Sequence, residues 1–213
     1  MMARAYAEAL KGDASSARQL ANRARSIYAD MGLPFLLARS TSVLSLIELL
    51  AGDLTATERG LRESYDTLRE SRETGFLSTV VSILADALCD QDKIGEAEQM
   101  AERAIEMSSP DDLDPLTRAK GVLAVARARA GDNAGAEALA SEAVESCRST
   151  DLIMILSDAL RRQGQVLNES GKTDQAARAL REALGLYERK GNVVMAARLR
   201  ATLGESETEA SGA

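Results

Sequence analysis

Apolar residues recur along the chain at the three- and four-residue spacing of amphipathic helices, and the helices themselves recur. Between Asp13 and Gly32, for example, Ala17, Leu20 and Ala24 share one side of a helix. Each such helix follows a turn residue, and the turns lie about forty residues apart, at Gly12, Gly52, Asp92, Gly131 and Gly171. A fixed period of roughly 20 to 50 residues predicts a stacked array of repeats.

The pattern predicts an all-α protein, a right-handed α-solenoid of about five helix-turn-helix repeats with a C-terminal capping helix. The repeats are expected at 1–32, 33–75, 76–109, 110–150 and 151–191, and the capping helix at 193–203. Together they form a single domain over 1–203, followed by a small, acidic tail over 204–213 that is expected to be disordered. Only a short helix precedes Gly12, so we expect the chain to begin partway into a repeat, as a fragment of a longer protein would.

Small residues keep fixed distances from the turns, and we interpret them as close helix contacts. They lie five and twelve positions after each turn and seven positions before it, where a large side chain would hold two helix backbones apart. The three sets are Ala17, Thr57, Ala97, Ala136 and Ala176; Ala24, Ser64, Ala104, Ala143 and Ala183; and Ala5, Ser45, Ala85, Ala124 and Gly164.

This frame resembles the tetratricopeptide repeat, whose small-residue positions it matches over about residues 1–190. It departs from that family in its period of about 40 rather than 34 residues, in the Leu, Ala or Val at the family's Trp and Tyr positions, and in lacking the terminal Pro. The departures indicate longer helices than the family's. The resemblance implies that the first helix of each repeat lines a concave groove.

Four segments within residues 71–203 resemble the C-terminal region of large bacterial signalling proteins, of which actinobacteria have many. They are Glu-Thr-Gly-Phe-Leu-Ser-Thr (73–79), Leu-Ala-Asp-Ala-Leu (84–88), Ser-Pro-Asp-Asp-Leu-Asp (109–114) and Leu-Tyr-Glu-Arg-Lys-Gly-Asn-Val-Val (186–194). Such proteins carry a nucleotide cyclase or DNA-binding domain, then a signal-transduction ATPase, then tetratricopeptide-like repeats. The resemblance implies a regulatory or scaffolding module that is covalently linked to an upstream signalling domain.

The charge and the missing histidine narrow the chemistry. A net charge of −7 disfavours nucleic acid, and the absence of His removes the commonest general base and metal ligand. We therefore expect no enzyme activity and no cofactor. The sequence shows no apolar stretch of about 18 residues and no signal peptide, so neither a membrane span nor a membrane partner is predicted. The unpaired Cys89 and Cys147 are typical of a cytoplasmic protein.

Three features invite a chemical interpretation that their context disfavours. Gly171-Lys172-Thr173 ends like a phosphate-binding loop, but position 166 is Val and the stretch follows a helix, so we interpret it as a repeat turn. Cys89 and Cys147 lie inside different helices and are interpreted as buried thiols rather than a redox pair. The acids of segment 111–114 are interpreted as helix-start residues rather than as a cation site.

The predicted groove face follows from the position of each first helix relative to its turn. It includes Thr79, Ser82, Asp86, Arg118, Val125, Asp158, Arg161, Arg162, Gln165 and Asn168. Within this set the predicted binding residues are Arg118, Arg161, Arg162, Gln165 and Asn168. Because arginines bind carboxylates bidentately, they predict an acidic protein or peptide partner. The alternative is that they are ordinary solvated helix residues.

The sequence thus favours a non-catalytic protein-interaction or regulatory module that acts by presenting a surface. The alternative is a sensor that encloses a small effector or signalling peptide in the groove, which an apolar pocket with a few polar groups would favour. The alanine-rich end faces also permit a homodimer.

Overall fold

The computed structural model describes residues 1–71 and 75–211, with side chains up to residue 204, and every regular element in these residues is an α-helix. The predicted all-α class is confirmed. Contacts divide the chain into two compact units, which we call unit 1, Met1–Ala119, and unit 2, Lys120–Ala213. The single domain expected over 1–203 therefore contains two compact units, and the boundary between them falls inside a helix.

The described residues contain eleven helices. They are α1 Met2–Leu10, α2 Ala14–Asp30, α3 Pro34–Ala51, α4 Leu54–Glu70, α5 Leu77–Asp90, α6 Ile94–Met107, α7 Leu113–Arg129, α8 Asn133–Arg148, α9 Ile153–Glu169, α10 Thr173–Lys190 and α11 Val193–Ser211. The pairs α3–α4, α5–α6 and α9–α10 pack together as the repeats predict.

All five turn residues adopt a positive φ, from 60° at Asp92 to 93° at Gly12. At each turn the next amide N–H donates to the carbonyl five residues earlier, as from Lys172 N to Leu167 O at 2.8 Å. This bond satisfies a carbonyl that the helix end leaves without a partner. Asp92 is the only non-glycine residue with a positive φ in the described chain, and aspartate tolerates that conformation better than most residues. The turns that set the period are therefore one structural motif used five times.

The small residues predicted to mark helix contacts are all buried. In α3 and α4 several carry hydroxyl groups, and those groups find partners inside the protein. The Ser64 hydroxyl donates to Ala38 O at 2.9 Å and lies 2.7 Å from the Ser42 hydroxyl, while the Thr57 hydroxyl donates to Ser45 O at 3.2 Å. The hydroxyls join α3 to α4 without the cost of a buried unsatisfied polar group.

Helix α3 corrects the expectation that no segment is long and apolar enough to cross a membrane. Over the described residues it is the one helix that meets this criterion, with a mean hydropathy of 1.4. It packs against α1, α2 and α4, and its Glu48 binds Arg18 Nη2 at 2.5 Å. These contacts are typical of a core helix, and the criterion is met by length and composition only.

The ends of three helices differ from the sequence-based predictions. The helix expected over 54–73 ends at Glu70, and residue 73 lies outside the described part of the chain. The helix expected over 115–130 begins at Leu113, so Pro115 is in its first turn, where a missing N–H costs no intrahelical bond. Asp114 is consequently not the N-cap.

Helix α11 also extends further than expected. Its apolar residues Ala196, Leu199 and Leu203 pack in a cluster with Leu180 and Tyr187. The helix continues to Ser211, whereas the sequence predicted an end at 203 and a disordered tail over 204–213. A single glycine is tolerated in a helix, and the Glu and Ala that follow residue 204 favour helix. Residues 212 and 213 lie outside the described residues.

Two lysine–glutamate pairs occupy the same repeat positions in different units. Lys93 Nζ lies 2.6 Å from Glu58 Oε2 in unit 1, and Lys172 Nζ lies 2.7 Å from Glu137 Oε2 in unit 2. Each lysine directly follows a turn residue, and each glutamate lies six positions after the preceding turn. Both pairs join the second helices of successive repeats. Lys172 therefore has a structural partner, and nothing in its position requires a phosphate.

Glu58 gives the first testable prediction, a loss of stability in acid. The hydrogen bond from Lys93, and a second from Arg62, hold the pKa of Glu58 below its ordinary value. A lowered folded-state pKa stabilises the protein above the ordinary carboxyl pKa of about 4.3, and this contribution is lost as pH falls through the folded-state pKa. Glu58→Gln should therefore destabilise the protein at pH 7 and make little difference near pH 3, measured by urea unfolding. The exposed Glu102→Gln is the control and should leave the pH profile unchanged.

Candidate protein-interaction site

Helix α9 carries four of the five predicted binding residues. Its apolar side, with Leu160 and Val166, packs against neighbours that include α8 and α10. On another side, Arg161, Gln165 and Asn168 are spaced i, i+4 and i+7 and so form one stripe along the helix. Arg161 and Gln165 are half-buried and Asn168 is exposed. We call these three residues the α9 surface.

Arg162, by contrast, is buried, with 2% of its surface exposed. Its Nη1 donates to Gln165 Oε1 at 2.9 Å, and a Cβ placed on Gly121 would lie 3.3 Å from its Cγ. The small Gly121 is thus what leaves room for the side chain. The prediction grouped Arg162 with Arg161 as a pair that binds a partner's carboxylates. The structure makes Arg162 a buried support, and Arg161 the arginine of the pair that has surface exposed.

The bond from Arg162 also fixes the chemistry of Gln165. A guanidinium only donates, so the atom it contacts must be the Gln165 amide oxygen. The Gln165 amide therefore keeps its N–H hydrogens as donors. With the Arg161 guanidinium and the Asn168 amide, the α9 surface is a row of hydrogen-bond donors.

Asp158 anchors the N-terminal half of α9 to α10. Its Oδ1 accepts a short hydrogen bond from the hydroxyl of Tyr187, which is fully buried. Asp158 lies one turn before Arg161 on the predicted groove face. Its carboxylate is thus held by a neutral donor from the next helix.

Arg118 lies on α7 within unit 1, and its Nε donates to Asp114 Oδ1 at 2.7 Å. The side chain is 13% exposed. Asp114 therefore compensates the Arg118 charge instead of capping a helix. No group of three or more potential metal ligands occurs in the described residues, and Asp111, Asp112 and Asp114 belong to no such group.

The remaining groove positions lie deeper than predicted. Ser82, Asp86 and Val125 are buried, and Thr79 is half-buried. Helix α5 is buried without interruption from Val80 to Cys89, so its groove-facing positions are covered as well as its core side. The interpretation of this stretch as an open groove lining is therefore wrong. Cys89 and Cys147 are both buried, which agrees with their interpretation as structural thiols.

Each unit has a cleft between the second helices of two repeats. The unit 2 cleft has a volume of 280 Å³ and is lined by Glu137, Ser141, Gln163, Val166, Leu167, Gln175, Arg178, Ala179 and Glu182. Lys172 and Arg148 neutralise two of its acids, Glu137 and Glu182. The unit 1 cleft, of 190 Å³, is lined by Arg25, Thr41, Leu44, Ser45, Glu48, Ala56, Arg59, Gly60 and Glu63. Neither cleft has the apolar lining expected of a small-molecule pocket.

Comparison with solved structures identifies the fold. BtubC (BKLC) from P. vanneervenii is similar at a TM-score of 0.54 and 19% identity, over 97% of this chain and 93% of that one. A putative kinesin light chain with TPR-like repeats from Podosopora anserina is similar at 0.58 and 14%, over 89% and 93%. The fold is that of tetratricopeptide-like repeats. A Rap protein complexed with Competence and Sporulation Factor is similar at 0.62 and 11%, over 99% of this chain and 66% of that one.

The tetratricopeptide-like fold agrees with the resemblance that the small residues and turns carry. No protein-family model matches the chain, and no match is found among curated proteins. At these identities the solved structures show the fold alone.

Proposed function

We propose that the chain is a non-catalytic protein-interaction and regulatory module of a larger bacterial signalling or transcriptional regulator in the cytoplasm. Its mechanism is surface presentation, in which binding of a partner biases an upstream domain. The regulator context rests on the resemblance of the segments between residues 71 and 203. The interaction role rests on the repeat fold, and a similar structure, the Rap protein, is complexed with Competence and Sporulation Factor.

The observation that carries the proposal is the α9 surface. Three donor side chains are aligned on one stripe of a helix whose other side is fixed by buried contacts. A fixed row of donors binds carboxylates and peptide carbonyls with little further loss of conformational entropy. The partner is therefore an acidic protein or peptide segment, as the arginines predicted. Gln165 contributes because the buried Arg162 orients its amide.

The alternative, a sensor for a small effector, requires an apolar pocket with few polar groups. The clefts described within each unit are lined largely by polar and charged side chains. The interaction module therefore has the better support.

The proposal predicts that Arg161→Glu abolishes binding of acidic peptides. Wild-type protein is used to select from a displayed library of random twelve-residue peptides, and we expect Asp- and Glu-rich sequences to be enriched. Charge-assisted hydrogen bonds contribute about 1.5–3 kcal/mol, so Arg161→Glu should weaken binding of the selected peptides by about ten- to a hundredfold.

The matched control is Arg178→Glu, because Arg178 is exposed on α10 and its reversal changes the net charge equally. It should weaken binding less than about threefold, through screened long-range charge alone. Equal losses in the two variants, or a library that enriches no acidic peptides, would contradict the proposal. Reversal of Arg162 is avoided, because a glutamate there would be a buried charge.

A further inference from the structure

Arg39, on α3 in unit 1, lies against both phenylalanine side chains of the protein. Its Cζ is 5.7 Å from the centre of the Phe35 ring and 5.2 Å from the centre of the Phe76 ring. The sequence contains only these two phenylalanines. Phe35 precedes Arg39 by one helical turn, and Phe76 directly precedes α5. We call these three residues the Arg39 stack.

Stacking on aromatic rings restrains a long side chain without using its hydrogen-bond donors. The ring faces attract the cation, while the five N–H groups lie in the plane of the guanidinium and point outward from its edge. Arg39 is exposed and both rings are half-buried. The guanidinium is therefore held in place beside an apolar surface, and its donors still reach solvent.

The charge of Arg39 is not compensated within the described residues, where it has no ion pair and no hydrogen bond. A comparison with Arg118 makes the difference clear, because each lies thirteen positions before a turn glycine. Four residues earlier, Arg118 has Asp114 and forms an ion pair at 2.7 Å, whereas Arg39 has Phe35. The same repeat position thus carries a neutralised arginine in one repeat and an uncompensated, oriented one in another. In a chain of net charge −7, such a cation is unusual.

We propose that the Arg39 stack binds an acidic side chain of a protein partner, at a position where an apolar residue neighbours the acid. The guanidinium edge accommodates a carboxylate with two parallel hydrogen bonds. The flanking rings of Phe35 and Phe76 contact the apolar neighbour. The inference rests on the proposed function for the kind of partner, and it adds a second anchor, in unit 1, to the α9 surface in unit 2.

The test follows the arginine side chain by NMR. The Nε–Hε signals of ¹⁵N-labelled full-length protein are recorded during titration with the peptide N-acetyl-Leu-Glu-Leu-amide. Arg39 is assigned from its missing signal in Arg39→Lys. Arg23, which is exposed on α2 and has no ring or ion-pair contact within the described residues, is assigned from Arg23→Lys. We expect the Arg39 signal to shift and saturate, while Arg23 shows only a weak, linear drift. The glutamine peptide N-acetyl-Leu-Gln-Leu-amide should bind at least about tenfold more weakly, because it lacks the charge.

Two variants and one competitor decide between explanations. Phe35→Leu keeps the charge and an apolar side chain but removes a ring, and it should weaken the interaction severalfold. Equal saturation of Arg39 and Arg23, or equal affinity for the two peptides, would overturn the proposal. So would an inorganic phosphate affinity about tenfold higher than that of the glutamate peptide, because the receptor would then select phosphate.

The result is separable from the test of the α9 surface. Arg161→Glu changes no residue of the Arg39 stack, so the Arg39 titration should be the same in that variant. Saturation at Arg39 with a peptide library that enriches no acidic sequences would reject the proposed function and support the carboxylate site. The reverse pattern would reject the Arg39 stack and support the α9 surface.

Discussion

Replacing Gly164 by alanine is expected to destabilise unit 2 by about 1–3 kcal/mol, although alanine favours helix. Gly164 lies seven positions before the turn at Gly171, where the array places small residues. A Cβ there would lie 2.6 Å from Leu180 Cδ2 and 2.7 Å from Leu180 Cγ, well inside van der Waals contact. Leu180 is itself packed in the core, so it has little room to move away.

Gly185→Ala is the matched control, because Gly185 is also inside a helix but a Cβ added to it would meet nothing within 4 Å. That change should stabilise the protein by about 0.5–1 kcal/mol, since alanine loses less backbone entropy than glycine on folding. The two substitutions are chemically identical and should have opposite signs. Urea unfolding followed by circular dichroism measures both.

A double-mutant cycle with Leu180→Ala identifies the cause. Leu180→Ala alone should cost about 2–4 kcal/mol through the cavity it leaves. In the double variant the new methyl group occupies part of that cavity, so the total cost should fall at least about 1 kcal/mol below the sum of the single costs. Strictly additive costs would show that the Gly164 effect does not come from the contact with Leu180.

The architecture was predictable because its physical causes are local and repeated. A glycine or aspartate with positive φ ends each first helix, and a small residue is required wherever two helix backbones approach. Both requirements restrict residue type at fixed spacing, so they are visible in a sequence. Helix ends were less predictable, since Leu113 and Ser211 as ends depend on weak preferences that neighbouring contacts override.

The candidate site was only partly predictable, because periodicity shows which residues share a face and not what covers that face. Arg161 and Arg162 are adjacent in sequence, yet one is half-buried at the surface and the other is buried beside Gly121. Asp86 and Ser82 were assigned to an open groove and are buried. The distance to the turn was the signal that would have found Arg39, since it equals that of Arg118. Its contact with Phe76 joins residues 37 positions apart and needs the fold.

Buried polar groups connect this surface to the core of unit 2. Asp158 and Arg162 belong to the same helix as the α9 surface, and each is tied to a partner, Tyr187 and Gln165 respectively. Binding by the α9 surface thus depends on side chains that never reach the partner. Variants of these supports should change binding as well as stability, which separates them from ordinary core residues.

Tyr187→Phe is expected to destabilise the protein by about 1–3 kcal/mol, the usual effect of losing a hydrogen bond to a charged group. Its hydroxyl donates to the Asp158 carboxylate, and its ring is fully buried among residues of α8, α9, α10 and α11. Tyr187→Ala removes the ring as well and should cost about 3–5 kcal/mol through the cavity it creates. Urea unfolding of the two variants separates the hydroxyl from the ring. The half-exposed Tyr28→Phe is the control and should change stability by less than about 0.5 kcal/mol.

The same substitution should reduce binding at the α9 surface. Without the tyrosine hydroxyl, the Asp158 carboxylate lies three residues before Arg161 on one helix face and competes with a partner's carboxylate for that guanidinium. Acidic peptides selected by the wild type should therefore bind Tyr187→Phe severalfold more weakly. Asp158→Asn in the Tyr187→Phe background removes the competing charge and should restore binding while leaving the protein destabilised. Binding that follows stability in all three variants would show that Tyr187 supports the fold alone.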